Sequence, residues 1–503
     1  MNLNEIRTKR PWKRILPNGY LSGGVYTSAL LPDSCPVDNS VFRIVTQADF
    51  LREYFPSGHI INDEDAYPNI YRAQEEQVLD DEGVPTGRKK VSYYEEKVPR
   101  YAFAFQQIIS VKQEVHLCGN DIQFEIGAEK EGGYSDLLSM FRQGWLEKDM
   151  EVRFSEAVKS VKRTADGAFV GYLDKGVFNS RVFSYLNGDV LYPHYDSSGR
   201  MDLFARSYFT YDPDGKEVAE YVEVWDKANF YRFKEDKRGL KGVVNRVLNA
   251  AGSDGFTLID SKPHGFPFCP VAYKRAEEGP CWSASQDACD GYEMSFSQMV
   301  QNNEATAFPI MCLLGSGTDA MDLQHDTNGT IKIITGSSDA KASYLSAPEA
   351  SGSFMKQLDT LYKMIYEQSF AVIPPELKSG DLPAAALKIL YSPAYEKAMD
   401  DASGYKPFLN EMVGIFRYGY GVEKEKTIDF ASMPLSWWIK PYVHVNESAL
   451  VADLAAAVQN GFVSKRTASE RVQMYSTPSE WDRLIREAKE EQQADLLNSL
   501  RKG

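Results

Sequence analysis

An α+β fold is predicted, with β-rich material early and long helices late. Three features predict it. The tract 203–235, LFARSYFTYDPDGKEVAEYVEVWDKANFYRFKE, holds two β-rich runs on either side of Asp212-Pro213-Asp214-Gly215 and a third run, NFYRF, after them. Proline presets φ and glycine tolerates positive φ, so this is an antiparallel meander. The stretch 135–165 places Leu138, Phe141, Trp145, Met150, Phe154, Ala157 and Val161 near one helical face. Residues 351–421 then read as two helices pinched around a Pro/Gly loop that starts at Pro374-Pro375.

Taken in order, residues 1–35 are broken by Pro11, Pro17, Gly19, Gly23-Gly24 and Pro32 and are expected to be irregular. A basic cluster, Arg7, Lys9, Arg10, Lys13 and Arg14 with Trp12, reads as a solvated arm or as an arm that contacts a partner subunit or nucleic acid. Apolar spacing of three and four predicts a helix over 41–56. A hairpin turn is expected near Asp81–Gly87. Residues 101–126 look strand-like in YAFAFQQIISVKQEVHL and IQFEI. The stretch 135–165 is expected to be one helix, with Gly144 its weak point. Short strands follow at AFVGYLD, SRVFSYL and DVLYPHYD, then the meander, then the strand in FPFCPVAYKR, 266–275.

A helix bounded by Pro280 and Pro309 is expected from about Ser283 to Thr306. Its many polar residues, Glu293 among them, leave only a narrow apolar seam and imply a wet face. Two short strands, IMCLLG and TIKIIT, are expected within 310–347, joined by a hairpin-like loop. Residues 428–445 look strand-like. The tail reads as a helix at Glu447–Asn460, a turn at Gly461, a capped start at Ser464 and a charged final helix.

With 503 residues, 43% hydrophobic and 12% aromatic, the chain can bury a large core. The formal charge of −15, from 71 acidic against 56 basic residues, argues against a large phosphate-gripping basic surface. The six cysteines form no CxxC pair and are expected to be free, mostly buried thiols. No secretory leader is expected at MNLNEIRTKRPWKR, and no apolar run is long enough to span a membrane.

The motifs for chemistry fail on context. Gly315-Ser316-Gly317-Thr318-Asp319-Ala320 matches a dinucleotide fingerprint, but MDLQHDTNGT follows it where that site needs a helix. No GxxxxGK[ST], HExxH or GxSxG occurs. His194 lies beside Asp196 without a nucleophile, and Asp212, Asp214 and Gly215 start a calcium-loop pattern that Val218 and Glu220 break. No catalytic residue, metal site or cofactor is expected.

The order of elements carries more than any motif. FPFCPVAYKR leads into a helix, a small strand unit, a second helix ending in SFAVIPPEL, and then Leu382-Pro383-Ala384-Ala385-Ala386-Leu387-Lys388 opening a long helix. Late in the chain stands Gly461-Phe462-Val463-Ser464-Lys465-Arg466-Thr467. This set resembles the portal proteins of tailed double-stranded-DNA bacteriophages, in the siphophage-type branch. Ala386-Leu387-Lys388 matches the core of that family's SGxALK-like helix start, and Gly461–Thr467 matches its G-x-[IV]-S-x-x-T element. Pro383-Ala384 replaces the family's Ser-Gly, with Ser379-Gly380 just upstream.

The resemblance implies a portal fold: a β-rich wing (1–282), a first stem helix (283–306), a small α/β clip (307–347), a second stem helix (348–373), a tunnel loop (374–386), a long tunnel helix with the rest of the wing (387–446), and a helical crown (447–503). It implies a homo-oligomeric ring, typically a dodecamer, at one capsid vertex of a virion assembled in the host cytoplasm. It further implies double-stranded DNA in the channel, a terminase large subunit, a head-completion adaptor, and major capsid and scaffolding proteins as partners, and no membrane. The channel residues it points to are Lys378, Ser379, Gly380, Asp381, Leu382, Pro383 and Lys388. The rival readings are another head–tail connector, which would lack the stem–clip–stem order, and an enzyme with an unrecognised site.

Overall fold

The computed structural model describes residues 13–17, 42–79, 85–127, 131–211, 217–235, 255–306, 310–314, 322–325, 331–335, 341–345, 351–373, 386, 389–442, 447–465, 468–469 and 483–489. The turn predicted at Asp212–Gly215 and the fingerprint at Gly315–Ala320 lie outside these residues, as do Arg7, Lys9, Arg10 and Trp12 of the basic cluster.

The first described strand, β1 (Lys13–Pro17), pairs antiparallel with β2 (Phe42–Thr46), so the 1–35 stretch is not irregular throughout. The helix expected over 41–56 is also corrected. Residues 42–46, rich in β-branched side chains, form β2, and the helix is α1 (Gln47–Tyr54). A capping box starts α1: the Thr46 amide donates to Asp49 Oδ2 at 2.8 Å. Strands β3 (Ile70–Leu79) and β4 (Pro85–Glu96) form the expected hairpin.

The strand expected at 101–118 is instead α2 (Phe105–Cys118). Its valines and isoleucines mimic a strand, but Phe105, Ile109, Gln113 and Leu117 are buried at a spacing of four while Ile108, Val111 and Val115 are exposed. The short strand β5 (Gln123–Ile126) follows. The helix expected over 135–165 is two, α3 (Glu131–Glu147) and α4 (Met150–Thr164). The break is Asp149, at φ 53°, and Gly144 is no weak point: an added Cβ would lie 2.3 Å from the Tyr420 ring.

Strands β6 (Asp166–Asp174), β7 (Val177–Phe183) and β13 (Val271–Arg275) form a sheet in the order β13-β6-β7. The expected meander is a five-stranded sheet with β8 (Val190–Tyr195), β9 (Met201–Tyr211), β10 (Glu217–Trp225), β11 (Asn229–Glu235) and β12 (Phe256–Pro263) in sequential order. Phe183, Phe204, Trp225 and Val271 join the two sheets in one core.

Helix α5 (Gln286–Thr306) precedes four short strands, β14 (Ile310–Leu314), β15 (Asp322–His325), β16 (Ile331–Thr335) and β17 (Lys341–Leu345). The two-strand expectation here is corrected: β14 pairs with β17 and β15 with β16, so IMCLLG and TIKIIT are not partners. Helix α6 (Ser351–Gln368) follows, then α7 (Ser392–Glu423), whose 32 residues span about 48 Å. The strand expected from 428 starts instead as α8 (Thr427–Ser432), and among the described residues of that stretch the strand is β18 (Leu435–Trp438), paired with β5. The tail opens as expected with α9 (Glu447–Gln459) and Gly461 at φ 73°.

The largest core lies where α3, α4 and α7 meet the β13-β6-β7 sheet. Phe141, Trp145, Phe154, Phe178, Phe408 and Phe416 fill it. Aromatic pairs there meet edge to face, as Trp145 and Phe416 do at 5.2 Å between centroids. A second core, with Phe50, Ile109, Trp282, Cys289 and Ile365, packs α1, α2, α5 and α6 together.

Candidate functional site

Helices α5 and α6 run on either side of the small four-strand unit and pack on each other. Gln357 Nε2 donates to Ser295 Oγ at 2.9 Å, and the Tyr292 and Tyr362 rings lie 6.3 Å apart. The wet face expected on α5 is only partial. Asp287, Gln298, Asn303 and Glu304 are exposed, but Glu293 is fully buried. Its Oε1 accepts from the Phe103 amide and meets His59 Nδ1, both at 2.7 Å. His59 Nε2 lies 2.7 Å from the Glu53 carbonyl. Burial alone would lower the His59 pKa, but the Glu293 hydrogen bond and charge raise it. Asp290, one turn away, is pushed up to about 6 by burial and by the Glu293 charge.

The end of α6 is closed by a left-handed turn at Phe370, with φ 56°. The Ala371 amide donates to the Tyr366 carbonyl at 3.0 Å and the Phe370 amide to the Glu367 carbonyl at 3.2 Å. That is a Schellman pattern, with phenylalanine where glycine is usual. Ala371 and Val372 are buried, and the chain leaves toward Pro374. Pro393, in the first turn of α7, suits a helix start because the missing N–H there needs no partner.

Both flanks of this segment are tied to one polar relay. Gln113 on α2 donates from Nε2 to the Ser369 carbonyl at 2.8 Å. Its Oε1 accepts from Lys162 Nζ of α4 at 2.9 Å. Lys162 also pairs with Asp401 Oδ2 of α7 at 2.5 Å, and Lys397 lies 3.1 Å from Asp401 Oδ1. Lys112 Nζ donates to the Val372 carbonyl. The exit of α6 and the first third of α7 are therefore held at a set separation by buried, charge-assisted bonds. Lys112 has its pKa lowered by burial.

The predicted channel residues Lys378, Ser379, Gly380, Asp381, Leu382, Pro383 and Lys388 lie outside the described residues. Ala386 is helical, and the long helix α7 itself starts at Ser392. Sequence reasoning missed the relay. Its one legible signal is Lys162 itself, a charge on the apolar face of α4 beside Val158 and Val161.

A second polar network stiffens the meander. The Arg206 guanidinium lies 3.7 Å from the Phe183 ring centroid and 4.4 Å from that of Tyr208. It pairs with Asp189 at 3.0 Å and Glu223 at 2.8 Å, and Arg232 holds the other Glu223 oxygen at 2.8 Å. Burial pushes Asp189 up to about 6 against the pull of Arg206. The four described free cysteines are 118, 269, 281 and 289, and burial raises every one of their thiols, those of Cys118, Cys269 and Cys281 to about 12. Such thiols are poor nucleophiles. Among the described residues, no group of three or more His, Cys, Asp and Glu could hold a metal ion.

A family model described as "Phage portal protein, SPP1 Gp6-like" matches residues 58–495. Among solved structures, the chain is similar to "Neck of empty GTA particle computed with C6 symmetry", at 11% identity and TM-score 0.38, over 74% of this chain and 89% of that one. It is similar to "Neck of native GTA particle computed with C12 symmetry" at 12% identity and TM-score 0.38, over 74% and 90%. A third, "Virion of native gene transfer agent (GTA) particle", stands at 9% identity and TM-score 0.34, over 74% and 88%. No curated protein matches the chain significantly.

Proposed function

The chain belongs to the family of phage portal proteins, SPP1 Gp6-like, and from that premise we propose how its elements serve a DNA portal. Copies of the chain close into a ring, a dodecamer, at one capsid vertex. Helices α5 and α6 form the stem, and β14–β17 between them form the clip. The 21 residues of α5 span about 31 Å, long enough to bridge a shell-like layer. The single observation that carries this reading is the family match, which spans the whole helix–strand unit–helix–long helix order.

In this reading residues 374–386 project into the channel, with Lys378 and Lys388 touching phosphates in passing. The relay of Gln113, Lys162 and Asp401 keeps the two ends of that loop in place while DNA moves. A net charge of −15 keeps the channel from gripping DNA through counterion release, so the duplex slides. The protein has no catalytic role. A terminase large subunit docks on the clip and supplies the ATP-driven work, a head-completion adaptor replaces it, and major capsid and scaffolding proteins meet the wing. The test is mass by multi-angle light scattering with negative-stain imaging of purified protein. A ring with a central hole is expected. A monomer under all conditions, without annular particles, overturns the proposal.

A further inference from the structure

Strands β3 and β4 form a two-stranded sheet that no other described strand joins. A lone hairpin is marginally stable in water unless one face is covered. Its root is nonetheless clamped. Asn69 donates to Glu95 at 2.8 Å, and Arg100 donates to Asn69 Oδ1 and to the Tyr67 carbonyl, each at 2.8 Å. The hairpin is thus presented in a set direction.

The register places Tyr71, Val91 and Tyr93 on one face, since Tyr71 opposes Glu95, Ala73 opposes Tyr93, and Glu75 opposes Val91. That face is open: Tyr71 is 69%, Val91 47% and Tyr93 73% exposed. A neighbouring group of exposed large side chains of this kind marks an interaction surface. Nucleic acid is a poor occupant. Between Ile70 and Glu96, seven acidic residues outnumber four basic ones. The occupant is a protein surface with apolar groups.

The same chain holds such a surface. On α2, Ile108, Val111 and Val115 recur at helical spacing and are 40%, 48% and 47% exposed. The stripe runs about 10 Å along the helix, close to the length of the apolar part of the hairpin face. A projecting face and a different receiving face on one chain are what a head-to-tail contact needs, and such contacts generate a ring when the rotation from copy to copy closes.

We propose that the Tyr71–Val91–Tyr93 face of the β3–β4 hairpin docks on the Ile108–Val111–Val115 stripe of the next copy of this chain. The proposal rests on the ring reading above and names one of the contacts that would close the ring. Its test is Tyr93→p-benzoylphenylalanine in full-length protein, assembled from mixed ¹⁴N- and ¹⁵N-labelled copies and irradiated. Mixed-isotope adducts to the peptide 105–118 are expected. Adducts within one copy, adducts to other peptides, or none in rings that do form would overturn the docking and leave the ring reading standing. Wild-type protein that forms no ring would overturn both. Independently, the double variant Tyr71→Ser with Tyr93→Ser should cut the ring fraction at fixed concentration by about tenfold, the loss of roughly 1.4 kcal/mol of contact. Far-UV circular dichroism should stay unchanged, and an unchanged ring fraction would overturn the proposal.

Discussion

Lys162→Met is the sharpest probe of the relay that ties the end of α6 to α7. Methionine keeps the length of the aliphatic stem, so no large cavity opens, and only the charge and its bonds are lost. Lys162 is 5% exposed and serves Gln113 and Asp401 at once. Removing one partner of a buried pair costs about 3–5 kcal/mol, and the orphaned Gln113 oxygen adds about 1–3 kcal/mol. Lys397, at 3.1 Å from Asp401, offsets part of this. The expected loss is about 3 kcal/mol. Urea unfolding followed by circular dichroism should show a lower midpoint at an unchanged slope. Hydrogen exchange at residues 369–373 should also quicken, because Gln113 loses the bond that orients it toward the Ser369 carbonyl. The companion Lys162→Met with Asp401→Leu should recover about half of the loss, since an apolar replacement of a whole buried pair is near neutral. A single variant within about 0.5 kcal/mol of wild type, or a double variant with fully additive losses, would refute the reasoning.

Other perturbations follow from the same geometry. Burial holds Asp166, Glu151 and Glu411 up at about 7, so the fold prefers each as a neutral acid; their stabilisation is complete below about pH 4 and lost as pH rises toward 7. Asp166→Asn keeps the oxygen that accepts from Gln47 and replaces the Oδ2 that accepts from the Tyr273 hydroxyl with an amide that can donate to it, so it should flatten the fall in melting temperature across that window; an unchanged slope would assign the effect elsewhere. Gly419→Ala would put a Cβ 2.2 Å from the Phe178 ring and should cost about 2 kcal/mol in chemical unfolding. Lys175, at φ 51° in the two-residue turn before Gly176, should gain about 0.5 kcal/mol as Lys175→Asn, read as a higher melting temperature. For the loop, Lys378→Glu with Lys388→Glu should leave ring formation intact and slow DNA packaging in vitro; packaging at the wild-type rate would remove both lysines from the channel.

Much of the fold is legible in residue order, and the errors share a cause. The meander, the short strands β6, β7 and β8 and the helices α5, α6 and α9 follow from period and punctuation, which are local properties. The misread α2 is rich in valine and isoleucine, whose strand propensity is weak beside tertiary burial at a spacing of four. The missed break between α3 and α4 sits at Asp149, where a left-handed residue without glycine leaves no mark in the sequence. In the 310–347 unit IMCLLG and TIKIIT read as strands while β15 and β17 do not, and pairing belongs to partners distant in sequence, so β14 pairs with β17.

By itself the sequence determined the α+β class, the family, and the place of the Pro374-Pro375 segment between α6 and α7. Those depend on composition and on the order of elements, which the chain carries along its length. Only the tertiary structure decided what stands behind that segment. Gln113, Lys162, Ser369 and Asp401 come from four separate places, and apart from Lys162, a charge on an apolar face, each alone reads as an ordinary polar residue. Burial is what gives them their role, because a charge inside a packed body must find a partner, and that partner then sets where α6 ends relative to α7.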